Sequence, residues 1–283
     1  MDRQARKFES TIVMQGLTAE TMISEEQWWQ YRQDGFLRLG KVLSDEELSC
    51  LQNRIDEIML GQADVDYDRM LMQLDSQSGS YGDLSSQTKG FKGATLDYRK
   101  IQDLEYDPLF LNYMQRPLFR EICAEAYGAH ASIAVIRAMF MNKPAHKGTV
   151  LPWHQDAGDS FGLDRDPIVT VWTALDAATI ANGCVQVIPG SHRRGLLSEQ
   201  GFTITPEQEA EICAPEKIEY LELEPGEAVL LHNWLLHSSD VNKTESPRRA
   251  FSVCYIDARS RRIDGKPAGN VVFGKGALSL ETV

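Results

Sequence analysis

The stretch that most limits the fold runs from Ile133 to Ile256. Short apolar or β-branched runs (Ile133–Asn142, Ile168–Leu175, Val185–Ile188, Ile218–Leu223, Ala228–Leu231 and Ala250–Ile256) alternate there with turn signals such as Pro189-Gly190 and Pro225-Gly226. This density of short strands points to a β-sandwich or jelly roll. Upstream of Gly128 the periodicity is helical. Ser24 is a good N-cap for a short helix over Glu25–Asp34, which Gly35 terminates, and Phe36–Leu39 then alternates like a strand. Ser44 and Glu47 form a capping box, and Leu48, Leu51, Ile55 and Ile58 give the helix over 45–60 one apolar face. Asp107-Pro108 opens a helical region to Tyr127, interrupted at Pro117. The expectation is a mainly β fold with flanking helices: one domain over 1–283, its helical N-terminal third buttressing a β core from about 130 to 257.

Two segments stand outside this pattern. Residues 1–20 read as a polar arm. Residues 61–93 are rich in Ser, Gly, Gln and Asp and read as a long loop, a variable surface insertion in preference to a substrate lid. The formal net charge of −12 argues against a nucleic-acid partner, the cluster Arg259-Ser260-Arg261-Arg262 reading as a solvated loop. Five scattered cysteines without a C-x-x-C fit a reducing, cytoplasmic setting more than a disulfide framework or a structural zinc site. No signal-peptide pattern or apolar span is present, so no membrane partner is expected.

Chemistry concentrates at Trp153-His154-Gln155-Asp156. On a strand, residues i and i+2 share a side, so His154 and Asp156 can take adjacent positions on one metal. A second imidazole would complete the 2-His-1-carboxylate face, which leaves positions open for other ligands. Of the other histidines, His130, His146 and His192 read as surface or hydrogen-bonding residues, and His232 as a core imidazole bonded to nearby backbone. His237 is the better third ligand, because Arg248 follows it after 248 − 237 = 11 residues. In an antiparallel hairpin that spacing would bring a carboxylate-binding guanidinium beside the metal. Arg249 should then face the other side.

These pieces together resemble the phytanoyl-CoA dioxygenase family of Fe(II)/2-oxoglutarate-dependent oxygenases, over roughly Glu25 to Ile256. The resemblance rests on Pro152-Trp153-His154-Gln155-Asp156, Val171-Trp172-Thr173-Ala174-Leu175-Asp176, Asn182-Gly183-Cys184, Val187 through His192, and His237-Ser238-Ser239 through Arg248. It implies a double-stranded β-helix (jelly roll, cupin-like) with iron on His154, Asp156 and His237. It also implies a 2-oxoglutarate carboxylate on Arg248 beside Ser239, with Lys100, Met139 and Trp172 as further cosubstrate contacts. Taken alone, Met139 reads as core, Lys100 as a surface charge, and Trp172 equally as core or site. Pro189-Gly190-Ser191-His192 reads as a structural turn.

The implied activity consumes O2 and 2-oxoglutarate, hydroxylates an unactivated C–H bond, and releases succinate and CO2. Asp156 favours hydroxylation over halogenation, since halogenating relatives lack that carboxylate. A small metabolite or natural-product intermediate is the expected substrate, with 61–93, 157–166 and 259–269 as the rim. Two other readings remain open: a β-barrel protein that binds metal and 2-oxoglutarate without turnover, and a zinc-type hydrolase using the same three ligands.

Overall fold

The structure, a computed structural model, describes residues 23–198, 203–214 and 217–281, so the arm at 1–20 lies outside it. Its elements in chain order begin with α1 (Glu25–Asp34), β1 (Phe36–Lys41), α2 (Asp45–Met59), β2 (Leu71–Leu74), β3 (Thr88–Lys89) and β4 (Tyr98–Ile101). Next come α3 (Pro108–Met114), α4 (Pro117–Tyr127), β5 (Ile133–Lys143), β6 (Leu151–His154), β7 (Val169–Ala174) and β8 (Val185–Val187). The chain continues through α5 (Pro206–Ile212), β9 (Glu219–Leu221), β10 (Glu227–Leu231), β11 (His237–Ser239), β12 (Arg248–Asp257) and β13 (Asn270–Phe273). The helix boundaries follow local signals. Ser24 and Ser44 each cap a helix reciprocally with Gln27 and Glu47, and Gly35 stops α1 in the left-handed region at φ 81°.

All the strand pairings are antiparallel. One sheet runs β1-β10-β7-β12-β5-β4-β2-β3, with β13 also on β5; the other runs β6-β11-β8-β9. This is the double-stranded β-helix. β12 shows how the larger sheet divides its side chains. Phe251, Val253 and Tyr255 join the core under the helices, with Leu51, Ile55, Phe110 and Phe119. Ala250 faces the second sheet, against Val185, Val187 and Leu231.

Two of the larger sheet's bulges bear on the cavity. On β5, Arg137 pairs with Cys254 and Val135 with Tyr255, which leaves Ile136 as the extra residue. On β4, Lys100 pairs with Gln73 while Tyr98 pairs with Leu74, which leaves Arg99 as the extra residue. A bulge re-aims the side chains beyond it. Arg137, Met139 and Met141 consequently share one wall, and the consecutive Arg99 and Lys100 both reach the same cavity.

The stretch 61–93 departs from its reading as a surface loop. It contributes β2 and β3 to the larger sheet and, through Gln73, Tyr81, Leu84, Ser85 and Gln87, a wall of the cavity. Four-residue and two-residue strands are too short to show a period, so they become visible only through their pairing, β2 with β4 and β3 with β2. The same brevity hid β4, β6, β11 and β13. Among the described residues, no helix is long and apolar enough to cross a membrane.

Candidate metal centre

β6 delivers His154 and β11 delivers His237 directly opposite one another in register. Their ring centroids lie 4.0 Å apart at an interplanar angle of 46°. Asp156 does not share a strand with His154 as expected, because β6 ends at His154. Gln155 turns away instead. Its amide nitrogen donates to the carbonyls of Gly195 and Trp234, and its oxygen accepts from the Leu197 N–H. Asp156 is fixed by Asn233. The Asp156 N–H donates to the Asn233 carbonyl at 2.8 Å, and the Asn233 side chain donates back to the Asp156 carbonyl at 3.1 Å.

Asp156 Oδ1 therefore stands 4.0 Å from His154 Nε2, and Oδ2 stands 3.7 Å from His237 Nε2. One ligand atom from each of the three residues lies within 4.8 Å of the others. Each imidazole commits its Nδ1–H to a carbonyl two residues back: His154 to Pro152 at 2.8 Å and His237 to Leu235 at 2.9 Å. That fixes the tautomer and leaves both Nε2 lone pairs for a cation.

The electrostatics favour the same forms. Burial, and after it the neighbouring His237, pushes His154 well below its ordinary value, so it stays neutral. Burial would raise the Asp156 carboxyl. Arg137 first, then His237 and His154, outweigh it and hold the group well below the usual carboxylate range. Arg137 is the direct partner, with Nη1 3.0 Å from Oδ1 and its guanidinium 4.0 Å from the Phe161 ring centroid.

Arg248 reaches this centre by a route different from the expected hairpin. β11 belongs to the smaller sheet and β12 to the larger, so Arg248 lies across the cavity from His237, not beside it in a hairpin. It is 2% exposed, and its Nε and Nη1 find no hydrogen-bond partner among the described residues. Burial lowers its guanidinium to about 10, and it lies 5.4 Å from the Trp172 ring centroid. Arg249 faces the opposite side, as expected, forking onto Asp176 and reaching Asp56.

All eight residues singled out in the sequence (Lys100, Met139, His154, Asp156, Trp172, His237, Ser239 and Arg248) line one cavity of about 420 Å³. Of the expected rim, 61–93 lines it directly. Segment 157–166 reaches it through Phe161 on Arg137, while 259–269 packs on 157–166. His232 accepts from the Trp234 N–H, as its core reading required. The Pro189–His192 turn proves structural, since Ser191 Oγ accepts the N–H of Leu236, the residue before His237. Gly183 has an equally local reason: a Cβ there would meet the Asp240 carbonyl oxygen at 2.2 Å, where β11 leaves β8.

Arg137, Arg99 and Asn233 were missed. The signal for Arg137 was a lone charge inside the apolar run Ile133–Asn142. Asn233 gives a direct test of how Asp156 is held. Asn233→Ala is expected to weaken Fe(II) binding by about 10- to 100-fold, as loss of a group orienting a ligand does. Anaerobic calorimetric titration measures this; unchanged affinity would show that the backbone alone positions Asp156.

Known proteins share both sequence and fold with this chain. The phytanoyl-CoA dioxygenase (PhyH) family profile matches residues 31–250. A probable phytanoyl-CoA dioxygenase of Caenorhabditis elegans is 28% identical over 249 residues, covering 84% of this chain and 76% of the relative. Phytanoyl-CoA dioxygenase domain-containing protein 1 of Danio rerio is 27% identical over 278 residues, covering 84% of this chain and 92% of the relative. Among solved structures, EctD from S. alaskensis with 2-oxoglutarate and 5-hydroxyectoine superposes with a TM-score of 0.68 at 21% identity, over 96% of this chain and 91% of that one. With 220 of its residues matched by the family profile (250 − 31 + 1), the chain belongs to the phytanoyl-CoA dioxygenase family and is an enzyme of the dioxygenase class.

Proposed function

We propose that this enzyme uses Fe(II), 2-oxoglutarate and O2 to hydroxylate an unactivated C–H bond of a small metabolite. His154, Asp156 and His237 would hold the iron, and Arg248 the cosubstrate's distal carboxylate. The observation that carries the reading is the Arg248 guanidinium, buried in the wall of the triad's cavity with two nitrogens unpartnered among the described residues. Such a group calls for an acid. The Trp172 indole N–H, also buried without a partner among the described residues, and Ser239 line the same cavity.

When bound, iron with 2-oxoglutarate supplies oxidative decarboxylation of the cosubstrate, one oxygen atom of O2 passing to succinate and the other to the substrate carbon. This chain's residues supply position. The two Nδ1–H bonds to carbonyls aim the imidazoles, Arg137 keeps Asp156 ionised, and residues from Gln73 to Gln87 line the cavity that holds the centre. The polar side chains on that wall (Gln73, Tyr81, Ser85, Gln87 and Arg99) favour a small polar substrate over an aliphatic chain. The net charge of −12 does not suggest the basic surface patch that the phosphates of a coenzyme A thioester would favour. Five free cysteines support a reducing, cytoplasmic setting.

The reading is tested by anaerobic addition of 2-oxoglutarate to the Fe(II) protein, which should produce a visible metal-to-ligand absorption band. Under O2, one member of a metabolite library should stimulate succinate release. Absence of the band would overturn the assignment, and stimulation by acyl-CoAs alone would overturn the small-metabolite part.

Lys100 adds a pH dependence. Burial first, then Arg99 and Arg137, lowers its ammonium to about 7. An arriving dianion favours the charged form, so binding at pH 8 should take up a fraction of a proton, and affinity should fall as pH rises above about 7. Calorimetry in buffers of different ionisation heat reads this uptake, which should vanish in Lys100→Met.

A further inference from the structure

The cavity holds more positive charge than the proposed iron and cosubstrate need. Arg99, Lys100, Arg137 and Arg248 line it, and Asp156 is the one acid among its described lining residues. In the loaded site, the two positive charges of Fe(II) and the one of Arg248 are cancelled by Asp156 and dianionic 2-oxoglutarate. Arg99 and Arg137 then remain in excess, joined by Lys100 when it is protonated. Arg137 at least touches the Asp156 carboxylate, at 3.0 Å. Arg99 has no such partner.

Arg99 is 7% exposed. Its Nη1 donates to the neutral Gln73 side-chain oxygen at 3.1 Å, and its guanidinium lies 5.7 Å from the Tyr81 ring centroid. Among the described residues it forms no ion pair. Asp75 acts on it at longer range and commits one oxygen to Thr149 at 2.6 Å. A desolvated charge satisfied only by a neutral acceptor is costly unless an anion arrives. The position is built. The β4 bulge turns Arg99 inward beside Lys100, and Gln73, on the neighbouring strand, accepts from Arg99 and is itself held by donating to the Ser85 carbonyl. The site is distinct from Arg248, which stands on β12.

We propose that Arg99 docks an oxyanion of the substrate, which makes the substrate a small organic anion, carboxylate or phosphate ester, with its reacting carbon directed to the His154/Asp156/His237 centre. The inference rests on the dioxygenase reading above and adds the substrate class. A guanidinium in a desolvated wall binds either oxyanion through charge-assisted hydrogen bonds. A neutral analogue would leave the charge uncompensated and be rejected for that reason.

The test uses the full chain loaded anaerobically with Fe(II) and saturating 2-oxoglutarate, so that Arg248 is engaged. The probes are 4-fluorobenzoate, 4-fluorophenyl phosphate and 4-fluorobenzamide. Binding is read as fluorine NMR line broadening, which the paramagnetic iron enhances for a probe inside the cavity. We expect at least one anion to bind tenfold or more tightly than the amide; which one distinguishes carboxylate from phosphate. Arg99→Gln should remove that preference, and Arg99→Lys should keep part of it. Equal binding of amide and anions, absence of anion binding, or an undiminished preference in Arg99→Gln would overturn the proposal. The visible band of the 2-oxoglutarate complex is recorded in the same samples. Its absence from the wild-type protein would overturn the dioxygenase reading itself, separately from the substrate class.

Discussion

Asp156→Ala is expected to abolish succinate formation, with turnover falling about a thousandfold or more, equivalent to about 4 kcal/mol of transition-state stabilisation. Two effects combine. The substitution removes one of the three proposed ligands, leaving two imidazoles to hold the metal. It also strips the charge that balances Arg137, whose Nη1 lies 3.0 Å from Oδ1. Asp156→Asn tests whether the charge, and not the shape, is what the site requires. It keeps the shape and the backbone bonds to Asn233, but offers a neutral amide in place of an anionic ligand. Alanine and asparagine should both be inactive, and both should bind Fe(II) weakly in anaerobic titration. The folded state should survive, because the His154–His237 register and the Gln155 anchors do not depend on the carboxylate. Wild-type rates in both variants would remove Asp156 from the site.

How much of this could be read from residues alone divides along the range of the interactions. Capping at Ser24 and Ser44 and the apolar face of α2 depend on neighbours three and four positions away, so their boundaries were legible. His154, Asp156, His237 and Arg248 were legible from their chemical types and spacing, whereas Lys100, Met139, Trp172 and Ser239 came from the family resemblance. Their geometry was not legible. Arg248 was found for the wrong reason: spacing suggested a hairpin, whereas β11 and β12 lie in different sheets and meet only when the β-helix closes. Arg99 and Arg137 were out of reach because each owes its direction to a bulge, and a bulge is a property of two paired strands. The wall from 61 to 93 was out of reach for a related reason. β2 forms against β4, itself four residues long, and β3 against β2, so polar composition stood in for structure.

The adjacent pair Arg248 and Arg249 separates function from stability at one place in the chain. Arg248→Ala should raise the 2-oxoglutarate KM about a hundredfold, near 3 kcal/mol, the scale for removing one partner of a buried charge pair. The protein itself should lose little, since Nε and Nη1 of Arg248 have no partner to forfeit and a desolvated charge is removed. Arg249→Ala should do the reverse. Arg249 Nε and Nη2 each bond an Asp176 oxygen at 2.8 Å, and Nη1 bonds Asp56 at 2.6 Å. Its removal takes the guanidinium from part-buried Asp176, which keeps the Arg249 N–H and Gln52, and from half-exposed Asp56; it should cost about 2 kcal/mol and lower Tm by roughly 4–8 °C. Cosubstrate affinity should hold, because the side chain points away from the cavity. Thermal unfolding and anaerobic 2-oxoglutarate titration on both variants measure the four quantities. A fall in Tm for Arg248→Ala with unchanged cosubstrate affinity would mean that its guanidinium serves the fold and that the carboxylate is held elsewhere, with Lys100 the next cation on the wall to test.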